Sequence, residues 1–252
     1  MNTYTDRIPV AVLGATGTVG QKFITLLEGH PVFEVAELVA SPRSAGKRYD
    51  EAVSWKQPQP IPAEIAGKVV VSLDEKLSSP LLFSGLDSSV AGEAESRFAG
   101  LGHIVISNSK NHRMDADVPI VIPEVNLDHF DVLDAQKTPG KIITNSNCST
   151  MFLAMALAPL HRKYGVKAVH VTTLQAISGA GYPGVASLDI LGNVVPFISG
   201  EEAKLESEAA KILGTCENGV LRPADFVVSA QCTRVPVVDG HTETVNFSLE
   251  GA

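Results

Sequence analysis

Residues 8–30 read IPVAVLGATGTVGQKFITLLEGH. An apolar run from Ile8 ends at Gly14, and two more glycines follow at 17 and 20. From Thr18 to His30 the apolar residues Val19, Phe23, Leu26 and Leu27 recur at helical spacing. The stretch therefore predicts strand, glycine turn and helix in that order. Its spacing is G-x-x-G-x-x-G, not the commoner G-x-G-x-x-G, but the physics is the same. Glycines permit a tight turn and a close backbone approach, and the first amides of the helix face a phosphate group. A nucleotide site is the expectation for this turn.

The pattern continues outward. FEVAELVA, KVVVS, LLFSGL and HIVISN read as further strands, SSVAGEAESRFAGLG as a helix, and VPIVIPEVN as another extended run. Near-continuous apolar strands alternating with helices imply a doubly wound parallel sheet of the Rossmann type. The proline-rich WKQPQPIPAEIAG, Trp55 to Gly67, reads as a surface excursion of this domain. At the end of the second predicted strand an NAD site usually carries an acidic residue for the ribose hydroxyls. Here the residues are Ser41, Pro42, Arg43 and Ser44, with Lys47 close behind. Hydroxyls and cations suit a 2'-phosphate, so the expected cofactor is NADP.

The character of the chain changes at TNSNCSTMFLAMALAPL, 144–160. A helix is predicted from about Ser149 to Tyr164. VKAVHVTTLQAIS, DFVVSAQCTRVPV and HTETVNFSLEG read as strands, and GEEAKLESEAAKILG as a charged amphipathic helix. Long strands with one polar face suggest a second α+β domain with a mostly antiparallel sheet. The expected domains are 1–147 for the nucleotide and 148–252 for catalysis and dimerisation.

Composition narrows the class of function. The 252 residues are 44% hydrophobic and 19% charged, with 20 Lys and Arg against 28 Asp and Glu, a net charge of -8. No basic block offsets that charge, so nucleic acid is not an expected partner. The start MNTYTDRIPVAVLG lacks the pattern of a signal peptide. No uncharged apolar run reaches membrane-spanning length, and the expected location is cytoplasmic. Cys148, Cys216 and Cys232 are odd in number and form no C-x-x-C pair. A disulfide framework is therefore not expected, and no metal is assigned.

Chemistry concentrates around Cys148. A thiol at the start of a helix feels the helix dipole, which favours thiolate and is expected to lower its pKa. Free cysteine is equally a common core residue, so position alone leaves both readings open. Downstream, Arg234 and His241 stand seven residues apart across a Pro- and Gly-containing turn. A histidine can act as general acid or base near neutral pH, and an arginine can hold a carboxylate through two hydrogen bonds. Arg113 and Lys204 are candidate anion binders or solvated surface cations.

Taken together, ASPRSAGK, SNSKNHRMDADVPIVIPEVN, ITNSNCST, TLQAISGAGYPG, GEEAKLESEAAKILG and CTRVPVVDGHTE resemble the aspartate-β-semialdehyde dehydrogenase family, in its archaeal and fungal branch. The resemblance runs over essentially the whole chain. It implies NADPH-dependent reductive dephosphorylation of L-4-aspartyl phosphate to L-aspartate 4-semialdehyde through a cysteine thioester, in lysine, threonine and methionine biosynthesis. Cys148 resembles the family nucleophile, Gln175 the glutamine that positions the thioester, and His241 the acid/base. Arg234 matches the arginine on the substrate carboxylate, and Glu201 the acid that meets its ammonium group. Arg113 and Lys204 match the phosphate-binding pair, with Asn108 or Asn147 as helpers. Gly14, Thr16, Gly17, Thr18 and Val19 match the pyrophosphate loop, and Ser41, Arg43 and Ser44 the 2'-phosphate site. The partners implied are small molecules and a second copy of the chain, in a homodimer or homotetramer. Malonyl-CoA reduction by the same thioester chemistry is the nearest alternative, and a non-catalytic NADP-binding fragment is the other. Family members run beyond residue 252, so NFSLEGA is expected to fall inside an incomplete second domain.

Overall fold

The computed structural model describes residues 7–251; residues 1–6, which open the segment read for a signal peptide, and residue 252 lie outside the described residues. The described residues form two units, one running up to His112 and joined by Lys137–Thr144, the other made of Arg113–Gln136 and the residues from Asn145 onward. The chain passes between them three times, where the sequence suggested one boundary at residue 147. Residues 113–136 belong to the second unit because Val118, Ile120, Val121 and Ile122 are buried, and Ile120 and Ile122 join its core. That apolar run, read as extended, forms none of the named strands; Ile120 carries a single β-bridge.

The first unit is built on six parallel strands: β1 (Ile8–Leu13), β2 (Phe33–Ala40), β3 (Val70–Ser72), β4 (Leu81–Ser84), β5 (Ile104–Ser107) and β6 (Lys141–Thr144). Their order is β3-β2-β1-β4-β5-β6, and every neighbouring pair is parallel. Val10 to Leu13 of β1 are completely buried, as expected for a strand covered on both faces. Helix α1 (Thr18–Leu27) follows β1 directly and buries Ile24 and Leu27. Helix α2 (Ser88–Gly100) buries Ala91, Phe98 and Ala99, and is capped by Asp87, whose carboxylate accepts from the Ser89 amide at 2.9 Å. The excursion after Trp55 stays within this unit, with Trp55 and Ile61 packed on the core around β1 and β2.

The second unit carries helix α3 (Cys148–Tyr164), strand β7 (Val166–Gln175), helix α4 (Glu201–Ile212), a short hairpin of β8 (Thr215–Glu217) and β9 (Val220–Arg222), then β10 (Val227–Arg234) and β11 (Thr242–Leu249). The main sheet has the order β10-β7-β11. It is mixed, where the sequence suggested mostly antiparallel pairing: β10 runs parallel to β7, and β11 antiparallel. The reason is connectivity. Between β7 and β10 the chain passes through α4, and a crossover through a helix returns the chain in the same direction. From Val169 onward the odd-numbered residues of β7 face the core. Val169 and Val171 pack with Leu153 and Leu157 of α3 and with Leu205 and Ile212 of α4. Each such side chain contributes roughly 1.5–3 kcal/mol through burial.

This topology positions the site. A parallel pair brings the C-terminal ends of β7 and β10 together, so Gln175 stands in register with Arg234. The antiparallel β11 brings its N-terminal end to the same edge, where Thr242 pairs with Leu174. His241 immediately precedes it. Three residues far apart in sequence thus meet at one edge of a three-stranded sheet.

Candidate active site

Asn147 is the N-cap of α3, and its side-chain oxygen accepts from the amides of Ser149 and Thr150 at 3.0 and 3.1 Å. Capping satisfies donors that the first helical turn would otherwise leave orphaned. Cys148 is therefore the first residue of the helix, and it is exposed. Its Sγ lies 3.2 Å from His241 Nε2. On the far side of the ring, Nδ1 accepts from the Ala176 amide at 3.0 Å. A nitrogen that accepts carries no proton, so the single proton of neutral His241 belongs on Nε2, facing the sulfur.

The electrostatics correct one expectation. The thiol of Cys148 is pushed up from its ordinary value, not down. Crowding by protein is the largest cause and the Glu201 carboxylate adds to it; these outweigh the amides of Ser149 and Cys148 and the charge of Arg234. Helix-start amides favour thiolate, but here the carboxylate and the desolvation win. His241 is pushed below its ordinary value by burial and then by Arg234, against Glu201. An imidazolium would also set a second N–H against the Ala176 amide. The resting pair holds a neutral ring that is a donor towards sulfur.

Around this pair the predicted residues of the second unit converge. Gln175 is almost fully buried, and its Nε2 lies 3.1 Å from Ser149 Oγ, 3.3 Å from Thr173 Oγ1 and 3.3 Å from Glu201 Oε1. Arg234 Nη1 donates to the Ala176 carbonyl at 2.7 Å. Glu201 opens α4 and accepts from Asn147 Nδ2 at 2.6 Å and from Lys204 Nζ at 2.8 Å. Burial alone would raise its pKa; the hydrogen bonds from Lys204, Asn147 and Gln175 outweigh it and hold the carboxyl below its ordinary value. Arg113 is 6% exposed and its Nη1 lies 2.9 Å from Glu208 Oε1. Asn108 belongs to the first unit, where its amide donates to Ser84 O at 2.9 Å.

Several neighbours escaped the sequence reading. A Cβ on Gly179 would lie 3.0 Å from Arg234 Nη1 and 3.0 Å from His241 Cε1, so only glycine leaves both side chains where they are. Ser149 and Thr173 hold Gln175. Glu208 and Lys211 continue the Glu201–Lys204 stripe at helical spacing, and all but Lys204 are buried. That stripe of charges at spacings of three and four was a readable signal. The demand on Gly179 was not, because it comes from residues 55 and more positions away.

In the first unit the glycine turn is built for an anion. Gly14 has φ +73°, and a Cβ there would lie 2.7 Å from the Gly85 carbonyl. A Cβ on Gly20 would lie 2.2 Å from the Gly14 carbonyl. Gly17 caps α1 without a side chain, and the first turn holds no acidic residue, so amides at that end are left for a ligand. Carbonyls that would repel a phosphate are occupied: Ala15 O accepts from the Tyr49 hydroxyl at 2.8 Å and Thr16 O from Gln21 at 2.9 Å. After β2, Ser41 to Lys47 form a turn closed by the Ser44 amide on Ser41 O at 2.9 Å. Arg43 is exposed there and Thr18 is half-buried beside the exposed Val19 of α1. The residues present fit a dinucleotide with a 2'-phosphate. Among the described residues no group of three His, Cys, Asp or Glu side chains is arranged to hold a metal ion, and no helix is long and apolar enough to cross a membrane.

A family model described as semialdehyde dehydrogenase, NAD binding domain, matches residues 9–133, and one described as semialdehyde dehydrogenase, dimerisation domain, matches residues 157–252. The chain belongs to the semialdehyde dehydrogenase family. It is similar to the aspartate-semialdehyde dehydrogenase of Schizosaccharomyces pombe, 51% identical over 250 residues that cover 95% of this chain and 70% of that protein. It is 48% identical to the one from Methanothermobacter thermautotrophicus over 249 residues, 96% of this chain and 72% of that protein. It also resembles the crystal structure of aspartate semialdehyde dehydrogenase with NADP from Candida albicans, with a TM-score of 0.90, 46% identity, and 98% and 73% of the two chains covered. Within this semialdehyde dehydrogenase chain, the Cys148–His241 pair falls between and within the two matched regions, at 148 and 241.

Proposed function

We propose that this chain reduces L-4-aspartyl phosphate to L-aspartate 4-semialdehyde with NADPH, through a thioester on Cys148. The observation that carries the mechanism is the 3.2 Å approach of Cys148 Sγ to His241 Nε2, with Nδ1 held by a backbone amide. The likeness to aspartate-semialdehyde dehydrogenases over most of the chain supports the substrate; nothing in those relatives favours malonyl-CoA.

Cys148 loses its proton to solvent, and the Nε2–H of His241 steadies the thiolate. The sulfur attacks the acyl carbon, the carbon–sulfur bond forms, and the carbon–oxygen bond to phosphate breaks. Arg113 and Lys204 hold the departing phosphate; Arg234, with Nη1 anchored on Ala176 O, holds the substrate carboxylate through its other donors, and Glu201 meets the ammonium group. Gln175 positions the thioester. Reduction then takes a hydride, which is the chemistry NADPH supplies when bound at Gly14, Thr16, Gly17, Thr18 and Val19 with its 2'-phosphate at Ser41, Arg43 and Ser44. The tetrahedral alkoxide left on Cys148 reforms a carbonyl, the carbon–sulfur bond breaks, and the sulfur leaves towards His241 Nε2–H. Covalent catalysis splits one hard step into two. Asn147 occupies the amides of Ser149 and Thr150, which leaves the Cys148 amide and His241 Nε2–H as the donors for the oxyanion.

A homo-oligomer, dimer or tetramer, and a cytoplasmic location complete the proposal. Between β7 and α4 the chain exposes Leu188, Leu191 and Phe197 at 93%, 70% and 63%. Such an apolar stretch within the region matched as a dimerisation domain suits a second copy. The reaction is tested in reverse. Aspartate semialdehyde, phosphate and NADP are mixed with the protein and NADPH absorbance is followed. Phosphate-dependent NADPH formation that iodoacetamide abolishes is the expected result; absence of NADPH formation overturns the proposal.

A further inference from the structure

Helix α4 grips Arg113 twice. One turn apart, Glu208 takes its guanidinium and Lys211 takes its backbone. Lys211 Nζ donates to the carbonyls of Arg113, Asp115 and Val118 at 2.6, 2.7 and 2.7 Å. An ammonium group has three N–H donors, and all three are used here. Glu208 divides its carboxylate. Oε1 receives Arg113 Nη1 at 2.9 Å, and Oε2 receives the backbone amide of Asn147 at 2.7 Å. Asn147 is the N-cap residue that sets where α3, and so Cys148, begins. Both ends of the ion pair are buried, with side-chain exposures of 8% for Arg113 and 3% for Glu208.

We infer that Glu208 is a positioning residue that sets the distance between the phosphate-binding guanidinium of Arg113 and the nucleophile Cys148. The inference rests on the reading that Arg113 holds the phosphate. A carboxylate with one oxygen on the guanidinium and the other on the N-cap amide transmits any displacement of one to the other. The buried setting makes the link stiff, because breaking such a pair on one side leaves an uncompensated charge. A phosphate leaving an acyl carbon on sulfur must be held at a fixed distance from that sulfur, and misplacement by about 1 Å costs on the order of 100-fold in rate. Towards the amino-acid end the arrangement reaches Glu201 through the Asn147 side chain, at 2.6 Å, whereas Glu208 itself holds the Asn147 backbone amide, so the two ends of the substrate are predicted to respond differently.

The test is Glu208→Gln, compared with Glu208→Asp and Arg113→Ala in the reverse reaction of the full chain. Glutamine keeps an acceptor for the Asn147 amide but sets an NH2 group against Arg113 Nη1. The KM for phosphate is expected to rise about tenfold and kcat to fall, while the KM for aspartate semialdehyde stays within twofold. Phosphate should lose its ability to slow iodoacetamide labelling of Cys148. Glu208→Asp, which keeps the charge, is expected to recover part of the phosphate KM. An unchanged phosphate KM in Glu208→Gln overturns the inference. So does an equal rise in both KM values together with a lower Tm, the mark of a purely structural role. If Glu208→Gln does not fold, Glu208→Asp decides by the same two KM values. If Arg113→Ala leaves the phosphate KM unchanged, the reading of Arg113 has failed and not the role of Glu208 alone.

Discussion

The glycine turn after β1 and the cysteine cluster at the end of β7 are both proposed as sites for anions, but they are made differently. The turn is made of backbone. Its demands fall on residues within a few positions of each other: φ at Gly14, and space at Gly20 against the Gly14 carbonyl. The cluster is made of side chains that start 93 residues apart, as Cys148 and His241 do. Local backbone sites tolerate almost no substitution at the glycine and much elsewhere. Assembled sites depend on strands far away in sequence and on polar groups whose worth is set by what surrounds them. The raised thiol pKa of Cys148 is one consequence: a helix start supplies amides, but a carboxylate brought in by α4 and protein crowding decide the sign.

Substitutions in the two regions should therefore fail in different ways. The largest effect is expected for Cys148→Ala, at least ~10,000-fold in kcat, with NADP binding by fluorescence titration unchanged. Loss of NADP binding as well would mean that Cys148 is structural. Gly20→Ala should cost at least ~1–3 kcal/mol of stability by overpacking against backbone, seen as a lower urea midpoint, together with weaker NADP binding. Gly179→Val is its counterpart in the assembled site. Displacing the ends of Arg234 and His241 is expected to lower kcat by ~10–100-fold with little change in the urea midpoint. Equal loss of stability in both glycine variants would erase the distinction drawn between the sites. Arg43→Ala should reduce the preference for NADP over NAD by ~10-fold, the worth of one charge-assisted hydrogen bond, in the ratio of kcat/KM values.

The smallest effect concerns pH. Burial pushes Glu243, two residues after His241, up to about 7 from 4.5, opposed by Ser149. A carboxyl whose folded pKa is raised stabilises the fold fully below its unfolded value, and that contribution is lost as pH rises through 7. Glu243→Gln should therefore gain on the natural chain between pH 5 and pH 8 by about 1 kcal/mol, or ~2–4 °C in Tm. A Tm difference that is the same at both pH values would place Glu243 in a more hydrated setting.

Much of the architecture was legible because it is periodic. The apolar strands and the 3.6-residue spacing of α1, α2, α3 and α4 needed only neighbours in sequence. What the periodicity did not reveal was β6, four residues long, and the direction of β10. KIIT is too short to show alternation, and pairing direction depends on the crossover through α4. Cys148, Arg234 and His241 could be named from their side-chain chemistry and Gln175 from the family resemblance, but their meeting could not be derived from spacing.

By itself the sequence determined the strand–turn–helix start, the glycines of its turn, and the residue types of the cysteine cluster, because each rests on local sterics or on intrinsic side-chain chemistry. Only the tertiary structure decided that β10 runs parallel to β7 and so sets Gln175 beside Arg234. It also decided which nitrogen of His241 carries the proton, that Asn147 serves as a cap, and that Cys148 is a weak acid at rest. These are properties of distance and burial, and distance between residues far apart in a chain exists only once the chain has folded.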